Sequence, residues 1–264
     1  MNRIDQTFKR LKREGKKGLI TYISAGDPNL AATARLAKEF ERVGVDLIEL
    51  GVPFSDPLAD GIVNQLAAQR ALEAGVTPRG VLDTISKLRQ EGLAIPIVLY
   101  IYYNVIHKWG LEPFAADAIK AGVDGILPLD LPPEEKADQF VMNSALHTIR
   151  LIAPTTPEER IARICKRAKG FIYYVSREGV TGMQTTTSDT IGSRVALIRK
   201  HTKLPIAVGF GISDGAQARS VADQADAAVV GSAIVTRIGT LGDSEQMIKE
   251  VTGFVESLVK AVKA

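Results

Sequence analysis

A glutamate stands inside an apolar run, and an aspartate follows eleven residues later. Glu49 belongs to the run 46–50 and Asp60 to the Pro- and Gly-containing stretch 51–61. Strand alternation places Glu49 on the same face as Leu47. Burial of a carboxylate there raises its pKa towards the range that is useful for proton transfer. Structural roles are the alternatives: an ion pair with Arg or Lys for Glu49, and bonds to its own loop backbone for Asp60.

Glycine-containing loops follow the last three apolar runs of the chain. The loops are 176–182 (SREGVTG), 209–213 (GFGIS) and 230–233 (VGSA). Small residues let backbone N–H groups approach an anion closely, and a helix that begins after the last run would add its positive N-terminal end. One such glycine is explained by a turn, but three loops after neighbouring strands indicate a phosphorylated ligand.

Several other chemistries lack their usual residues. The runs 93–107, 123–131, 171–176 and 204–213 contain no lysine, which argues against a Schiff-base aldolase. The three histidines, at positions 107, 147 and 201, do not have the spacing of metal ligands. The sequence therefore predicts no metal site, and it also lacks the third glycine of a dinucleotide fingerprint.

Eight apolar runs alternate with amphipathic segments, and they predict the elements that position these residues. The runs are 19–24, 46–50, 95–101, 125–129, 148–152, 171–176, 205–208 and 227–230. Helical segments such as 30–43 and 113–121 lie between them, and a further helix over 3–13 precedes the first. The pattern predicts a single α/β domain over 1–264, a (β/α)8 TIM barrel with an extra N-terminal helix. Loops after the strands of such a barrel share one face, where catalysis takes place.

Composition narrows the class of protein further. The 264 residues include 33 Lys and Arg against 30 Asp and Glu, a balance too even to indicate binding of nucleic acid or of a membrane surface. The basic stretch 9–17 fits a solvated helix face better than a nucleic-acid site. The one cysteine, Cys165, excludes an internal disulfide and favours a reducing compartment. With a polar N-terminal segment and no apolar run near the ~18 residues of a membrane span, we expect a cytoplasmic protein.

Residues 49–61 (ELGVPFSDPLADG) closely resemble the signature of the tryptophan synthase α subunit family. The segments 179–182, 210–213 and 230–233 resemble the family as well, so that the likeness covers nearly the whole chain. The first motif is highly specific, whereas glycine loops alone occur in many phosphate-binding barrels. The resemblance implies a retro-aldol cleavage of indole-3-glycerol phosphate to indole and glyceraldehyde 3-phosphate, with no cofactor in this chain.

The resemblance also implies roles for individual residues. Glu49 corresponds to the acid/base carboxylate that moves protons between the glycerol hydroxyl and indole carbon 3. Asp60 corresponds to the carboxylate that binds the indole N–H and stabilises positive charge on the protonated ring. The ring itself is then the electron sink, so that neither a lysine nor a metal is required. The other implied positions are Tyr22, Tyr102, Tyr173 and Ile212 for the substrate, Gly182, Gly211, Gly231 and Ser232 for the phosphate, and Thr181, Pro53 and Asp56 for the lid and partner loops.

The chain departs from the family pattern at a few positions. Tyr22 adds a hydroxyl where Phe is frequent, and Tyr100 is bulky where an aliphatic residue is expected. Ile62 stands where proline usually fixes the backbone, which affects the stiffness of the loop after Asp60. Asp214 replaces a small residue and is a candidate helix cap. None of these changes removes a predicted catalytic or phosphate-binding position.

The family resemblance implies a partner: a β subunit that binds pyridoxal phosphate, receives indole through a tunnel and forms an α2β2 assembly. A free-standing indole-glycerol-phosphate lyase would use the same active-site residues, so the sequence leaves both possibilities open. A phosphosugar isomerase or epimerase on the same barrel fits the aromatic residues at 22, 102 and 173 less well. A phosphate-binding barrel that only regulates a partner is the non-catalytic alternative, and retention of both carboxylates disfavours it.

Overall fold

The computed structural model describes residues 1–137, 144–176, 188–209 and 211–264. Within these ranges nine strands form one parallel sheet in the order β5-β4-β3-β2-β1-β9-β8-β7-β6. The strands are β1 Gly18–Ser24, β2 Leu47–Gly51, β3 Ile97–Ile101, β4 Gly125–Pro128, β5 His147–Thr148, β6 Arg150–Ile152, β7 Ile172–Val175, β8 Ile206–Gly209 and β9 Ala227–Val230.

The predicted fifth strand is divided into two short strands. Only Ile149 separates β5 from β6; β5 pairs with β4, and β6 pairs with β7. The Ile149 N–H still donates to Ile126 O at 2.9 Å, and the Lys169 N–H donates to Thr148 O at 2.9 Å. The two pieces thus occupy one strand position and close the barrel. The prediction of a (β/α)8 barrel is confirmed, although the uninterrupted strand 148–152 is wrong.

Helices surround the strands on the outside, with α1 Arg3–Glu14 preceding the first strand. The segment predicted as 30–43 is a helix with those bounds, whereas the one predicted as 113–121 begins two residues earlier. Asp214 caps its helix as expected, because its side chain accepts from the Gln217 N–H at 2.9 Å. The other helices in the described ranges are α2 Leu30–Val43, α3 Ile62–Glu73, α4 Pro78–Gln90, α5 Tyr103–Trp109, α6 Leu111–Ala121, α7 Glu158–Lys166, α8 Ser188–Arg199, α9 Gly215–Gln224, α10 Ser232–Leu241 and α11 Glu245–Lys263.

Strand alternation divides the apolar side chains into two cores. The barrel interior contains Ile20, Leu47 and Val98 and their equivalents on the other strands, and α1 contributes Ile4 and Phe8 to the same cluster. A larger cluster lies between the strands and the surrounding helices. The helix α1 therefore closes the end of the barrel at which the strands begin, and leaves the opposite end for a ligand.

Buried aspartates stabilise the closed end. Asp124 accepts a hydrogen bond from the Ile97 N–H at 2.9 Å and forms ion pairs with Arg89 at 2.8 Å and with Arg3 at 3.0 Å. Asp46 accepts from the Leu19 N–H at 3.0 Å in the same way. Each carboxylate satisfies a strand N–H and is itself neutralised, which is the condition for burying a charge. The end of the barrel that α1 closes thus contributes to stability.

None of the helices in the described part of the chain is long and apolar enough to cross a membrane.

Candidate active site

A cavity of about 210 Å³ opens at the ends of the strands opposite α1. Strands β1, β2, β7, β8 and β9 and the loops that follow them supply most of its walls. Six of the predicted site residues line it: Tyr22, Glu49, Tyr173, Gly211, Gly231 and Ser232. The structure therefore places the predicted acid–base residue in the same cavity as the three predicted phosphate-binding residues that lie within the described ranges.

Glu49 is a buried carboxyl group at the wall of this cavity. It is 1 % exposed, and its Oε1 atom has no hydrogen-bond partner among the described residues. Burial raises its pKa to about 8, because a low-dielectric environment disfavours the charged form. No Lys or Arg of the described ranges forms an ion pair with it, so the structural alternative of an ion pair is not supported there. The group is poised to exchange a proton near neutral pH.

Asp60 is held by side chains. The hydroxyls of Tyr100 and Tyr102 donate to its Oδ1 and Oδ2 at 2.8 and 2.7 Å. The amide of Asn64 lies 3.4 Å from Oδ1 as a weaker donor. The Tyr102 hydroxyl also accepts from the Ala59 N–H at 2.9 Å. All the described hydrogen bonds to the Asp60 carboxylate come from side chains. The alternative in which Asp60 bonds to its own loop backbone is therefore not supported either.

Tyrosine rings form the walls beside the two carboxylates. The rings of Tyr22 and Tyr100 meet edge to face, with centroids 4.9 Å apart and an interplanar angle of 67°. Burial, together with the Asp60 charge, raises the pKa of the Tyr100 hydroxyl well above 10. Burial also raises the pKa of Tyr173, and the Glu49 charge adds to this effect. The hydroxyls therefore remain protonated, and the flat walls suit an aromatic ring.

The predicted phosphate-binding end of the cavity is formed by two loops and a helix start. Gly231 is the N-cap of α10, and Ser232 is its first residue. The first N–H groups of a helix have no partner within the helix and bear partial positive charge. Gly211 has a φ of 65°, a left-handed conformation that glycine adopts without strain. Backbone donors are thus available for an anion, as in other barrels.

The remaining predicted positions do not line this cavity. Asp60 and Tyr102 lie next to it, because Asp60 is hydrogen-bonded to Tyr102 and to the lining residues Tyr100 and Asn64. Ile212 is 2 % exposed and packs in the core between strands and helices, and it does not line the cavity. Pro53 and Asp56 line a second, larger cavity of about 890 Å³, which contains neither Glu49 nor Asp60. Its larger size alone does not make it the better candidate, since no unpaired buried acid among the described residues faces it. Thr181 and Gly182 lie outside the described residues.

Two contributors to the site were not recognised as such from sequence. Asn64 has no predicted role, although its position four residues after Asp60, on the first turn of α3, places the two side chains together. Tyr100 is predicted only as a bulky departure from the family pattern. Its spacing of two residues from Tyr102 was a usable signal, because alternate residues at a strand end point to the same face.

This geometry defines the class: a (β/α)8 barrel enzyme with a buried carboxyl group of raised pKa and two glycine-containing loops at one mouth of the barrel. The family model for the tryptophan synthase alpha chain matches residues 8–263. The chain belongs to the tryptophan synthase alpha chain family. Its reaction is the cleavage of indole-3-glycerol phosphate, which makes the chain a carbon–carbon lyase of tryptophan biosynthesis.

Similar proteins agree along the full length. The tryptophan synthase alpha chain of Opitutus terrae is 47% identical over 266 residues, which cover 100% of both chains. The crystal structure of the alpha subunit from Legionella pneumophila has a TM-score of 0.91 at 35% identity and covers 99% of this chain and 98% of that one. A chain of tryptophan synthase from M. tuberculosis, in its aminoacrylate-bound form, has a TM-score of 0.87 at 28% identity with complete coverage of both.

Proposed function

We propose that Glu49 and Asp60 together carry out the cleavage of indole-3-glycerol phosphate in this cavity. The observation that carries the proposal is the difference between the surroundings of the Glu49 and Asp60 carboxyl groups. Glu49 is buried with Oε1 unpartnered, whereas Asp60 is held by two tyrosine hydroxyls. Two carboxyl groups with such different surroundings can take separate roles in one reaction.

Glu49 is the proton carrier in this proposal. A pKa of about 8 keeps the group largely protonated at neutral pH, so it can donate to carbon 3 of the indole ring. The bond between carbon 3 and the glycerol chain then breaks, and its electrons return to the ring, which becomes indole. The glycerol hydroxyl loses its proton to the Glu49 carboxylate as the aldehyde forms. The donor is thereby regenerated, and no external acid is consumed.

Asp60 is the charge-stabilising group. Protonation at carbon 3 places positive charge on the indole nitrogen, and a fixed carboxylate next to the N–H lowers the energy of that state. The rings of Tyr22 and Tyr100, which meet edge to face, provide aromatic walls for the indole, and Tyr102 holds Asp60 from the other side. Tyr173 lies beside Glu49 and limits water near the acid.

The phosphate would be bound by backbone groups. The start of α10 at Ser232, its cap Gly231, and Gly211 line the cavity. Their N–H groups would hold the phosphate without a cation from a side chain. Gly182 and a lid at Thr181 complete the proposed set, and Ile212 would support the loop from beneath, since it is buried in the core.

A β chain is the proposed partner, in an α2β2 assembly in which it binds pyridoxal phosphate and receives the indole. Pro53 and Asp56 stand on the loop between β2 and α3, beside a cavity of about 890 Å³ on the outer surface. On the same loop and helix Leu58 is 93% exposed and Ile62 is 60% exposed. Exposed apolar side chains beside an active-site loop fit a protein partner.

Two further properties belong to this proposal. Residues 1–264 would act as a single domain, with α1 as an integral part, because Arg3 and Arg10 of this helix form ion pairs with Asp124 and Asp46. The cytoplasm is the proposed location. Cys165 is a free buried thiol, which suits a reducing compartment.

The test is indole release from indole-3-glycerol phosphate by the purified chain, measured with and without a tryptophan synthase β chain. Turnover that rises sharply with the β chain supports the proposed assembly. Strong turnover with no response to it supports the free-standing lyase instead. If neither condition releases indole, the catalytic assignment fails, and the barrel would be a phosphate-binding regulator or an isomerase.

A further inference from the structure

The end of β3 holds Asp60 from two sides. Tyr100 is within the strand and Tyr102 follows it, so that both side chains point to the same face. Their hydroxyls donate to the two different oxygens of Asp60, at 2.8 Å and 2.7 Å. The Asp60 side chain is 6 % exposed. A Tyr-X-Tyr sequence at a strand end thus acts as a clamp for one carboxylate.

Tyr100 is itself fixed by its neighbours. Its ring meets the edge of the Tyr22 ring at 4.9 Å. Its carbonyl accepts from the Val52 N–H at 2.9 Å, at the beginning of the loop that carries Asp60. The same residue therefore contacts this loop at its base, through the backbone, and near its end, through the hydroxyl. Rotation of the Asp60 carboxylate would therefore break its hydrogen bond to the Tyr100 hydroxyl, because these contacts hold Tyr100 in place.

The hydrogen bonds leave Asp60 little remaining capacity. An ionised carboxylate has about four acceptor positions. Tyr100 and Tyr102 occupy one on each oxygen, and the Asn64 amide is placed at a third, 3.4 Å from Oδ1. About one position then remains for a further donor, which corresponds in number to the single N–H of an indole ring.

We propose that Tyr100 is a positioning residue that fixes Asp60 with its last acceptor position towards the ring N–H of the substrate. The inference rests on the proposed function, and it concerns a residue at which the chain departs from the pattern expected for its family. Burial keeps the Tyr100 hydroxyl protonated, since it raises the pKa well above 10. Tyr100 is hence a permanent donor and takes no part in the proton transfer.

The first variant is Tyr100→Phe, which removes the hydroxyl and keeps the ring against Tyr22. Hydrogen bonds to charged groups contribute enough to change a rate by about tenfold. We expect kcat for indole release to fall about tenfold while KM changes less than about threefold, because charge develops only in the transition state. Tyr103→Phe is the matched control, since no hydrogen bond of its hydroxyl to Asp60 exists in the described chain. It should retain wild-type kcat.

A double-mutant cycle separates positioning from packing. In the Asp60→Asn background, Tyr100→Phe should cause no further loss of kcat, because the group through which it acts has been changed. Urea unfolding of the same four proteins supplies a readout without turnover, and the midpoint shifts should be non-additive. A kcat for Tyr100→Phe within twofold of wild type, or fully additive effects in both readouts, would overturn the inference.

Failure of the inference and failure of the proposed function give different patterns. If the wild type releases indole normally but the cycle is additive, only the role of Tyr100 is wrong. If the wild type releases no indole with or without a β chain, the proposed function is wrong. The positioning role is then wrong as well, even where the unfolding midpoints are coupled.

Discussion

The hydroxyl oxygen of Tyr173 lies over Gly209, 2.5 Å from the place that a Cβ atom on that glycine would occupy. Tyr22 and Gly51 repeat the arrangement with the same distance. In both pairs the tyrosine and the glycine stand on neighbouring strands, β7 beside β8 and β1 beside β2. The glycines make room for the rings that shape the cavity, a role different from backbone contact with phosphate.

Replacement of Gly209 by alanine should therefore change the shape of the cavity. In Gly209→Ala the new methyl group would overlap the Tyr173 hydroxyl and displace the ring beside Glu49. We expect kcat/KM for indole-3-glycerol phosphate to fall at least about tenfold, the effect of a misplacement near 1 Å. Gly253→Ala is the control, because a Cβ on Gly253 meets nothing within 4 Å and alanine favours the helix. Wild-type kinetics for Gly209→Ala would contradict this account of the Tyr173 position.

Glu49→Gln should abolish turnover and preserve substrate binding. Glutamine keeps the shape of the side chain but cannot exchange the proton, and acid–base groups contribute about 10²- to 10⁴-fold to rates. We expect kcat to fall about 10³-fold, while calorimetric titration with indole-3-glycerol phosphate gives a Kd within about threefold of wild type. Glu73→Gln, on the exposed surface of α3, is the isosteric control and should be fully active. Near-normal turnover of Glu49→Gln would remove the residue from the chemistry.

Glu49 should also make the stability of the protein depend on pH. Its pKa rises from 4.5 to about 8 on burial, so the folded chain binds more protons than the unfolded chain between these values. Wild-type stability should therefore be highest below about pH 4.5, relative to Glu49→Gln, and should be lost progressively up to about pH 8. A shift from 4.5 to about 8 corresponds to at most about 5 kcal/mol at 1.36 kcal/mol per pH unit.

Urea unfolding of the two proteins at several pH values measures this effect. The difference in unfolding free energy between Glu49→Gln and wild type should grow with pH and become constant above about pH 8. A difference that is independent of pH would show that Glu49 ionises in the folded protein as it does in the unfolded chain.

Asp60→Asn should reduce turnover because the amide cannot neutralise the positive charge that develops on the indole ring. Loss of one such electrostatic group typically costs about 10²- to 10³-fold in kcat. It also leaves Tyr100 and Tyr102 with one acceptor oxygen between them. The measurement is steady-state indole release, with Asp56→Asn as the control on the same loop, assayed without a β chain. Unchanged kinetics for Asp60→Asn would return Asp60 to a structural role.

The opposite end of the barrel should affect stability without affecting catalysis. Asp124→Ala would leave the Ile97 N–H unpaired and would deprive Arg89, whose side chain is only 10% exposed, of its ion-pair partner. We expect a loss of about 3 kcal/mol in unfolding free energy, with kcat unchanged at temperatures where the variant is folded. Asp243→Ala, on the surface, should change stability by less than about 0.5 kcal/mol. A large fall in kcat for folded Asp124→Ala would contradict this separation.

The architecture was predictable because apolar runs and amphipathic segments alternate along the chain. The break at Ile149 was not, since the residues on both sides of it are equally suited to a strand. Glu49 was recognisable as an acidic residue within an apolar run, but the absence of an ion pair depends on contacts between distant segments. Tyr100 shows this limit most clearly. Its size is a visible departure from the family pattern, whereas its hydrogen bond to Asp60 depends on how β3 and the loop after β2 meet.

The strand β2 connects two acidic residues with opposite surroundings. Asp46, just before the strand, has Arg10 and Lys263 at 2.7 and 3.0 Å, whereas Glu49, three residues later, has an oxygen with no partner in the part of the chain that the structure describes. Substitutions among the ion-pair partners of Asp46 can therefore change the stability of the barrel without changing the immediate surroundings of Glu49. One strand thus places two acidic residues three positions apart whose environments can be altered independently of each other.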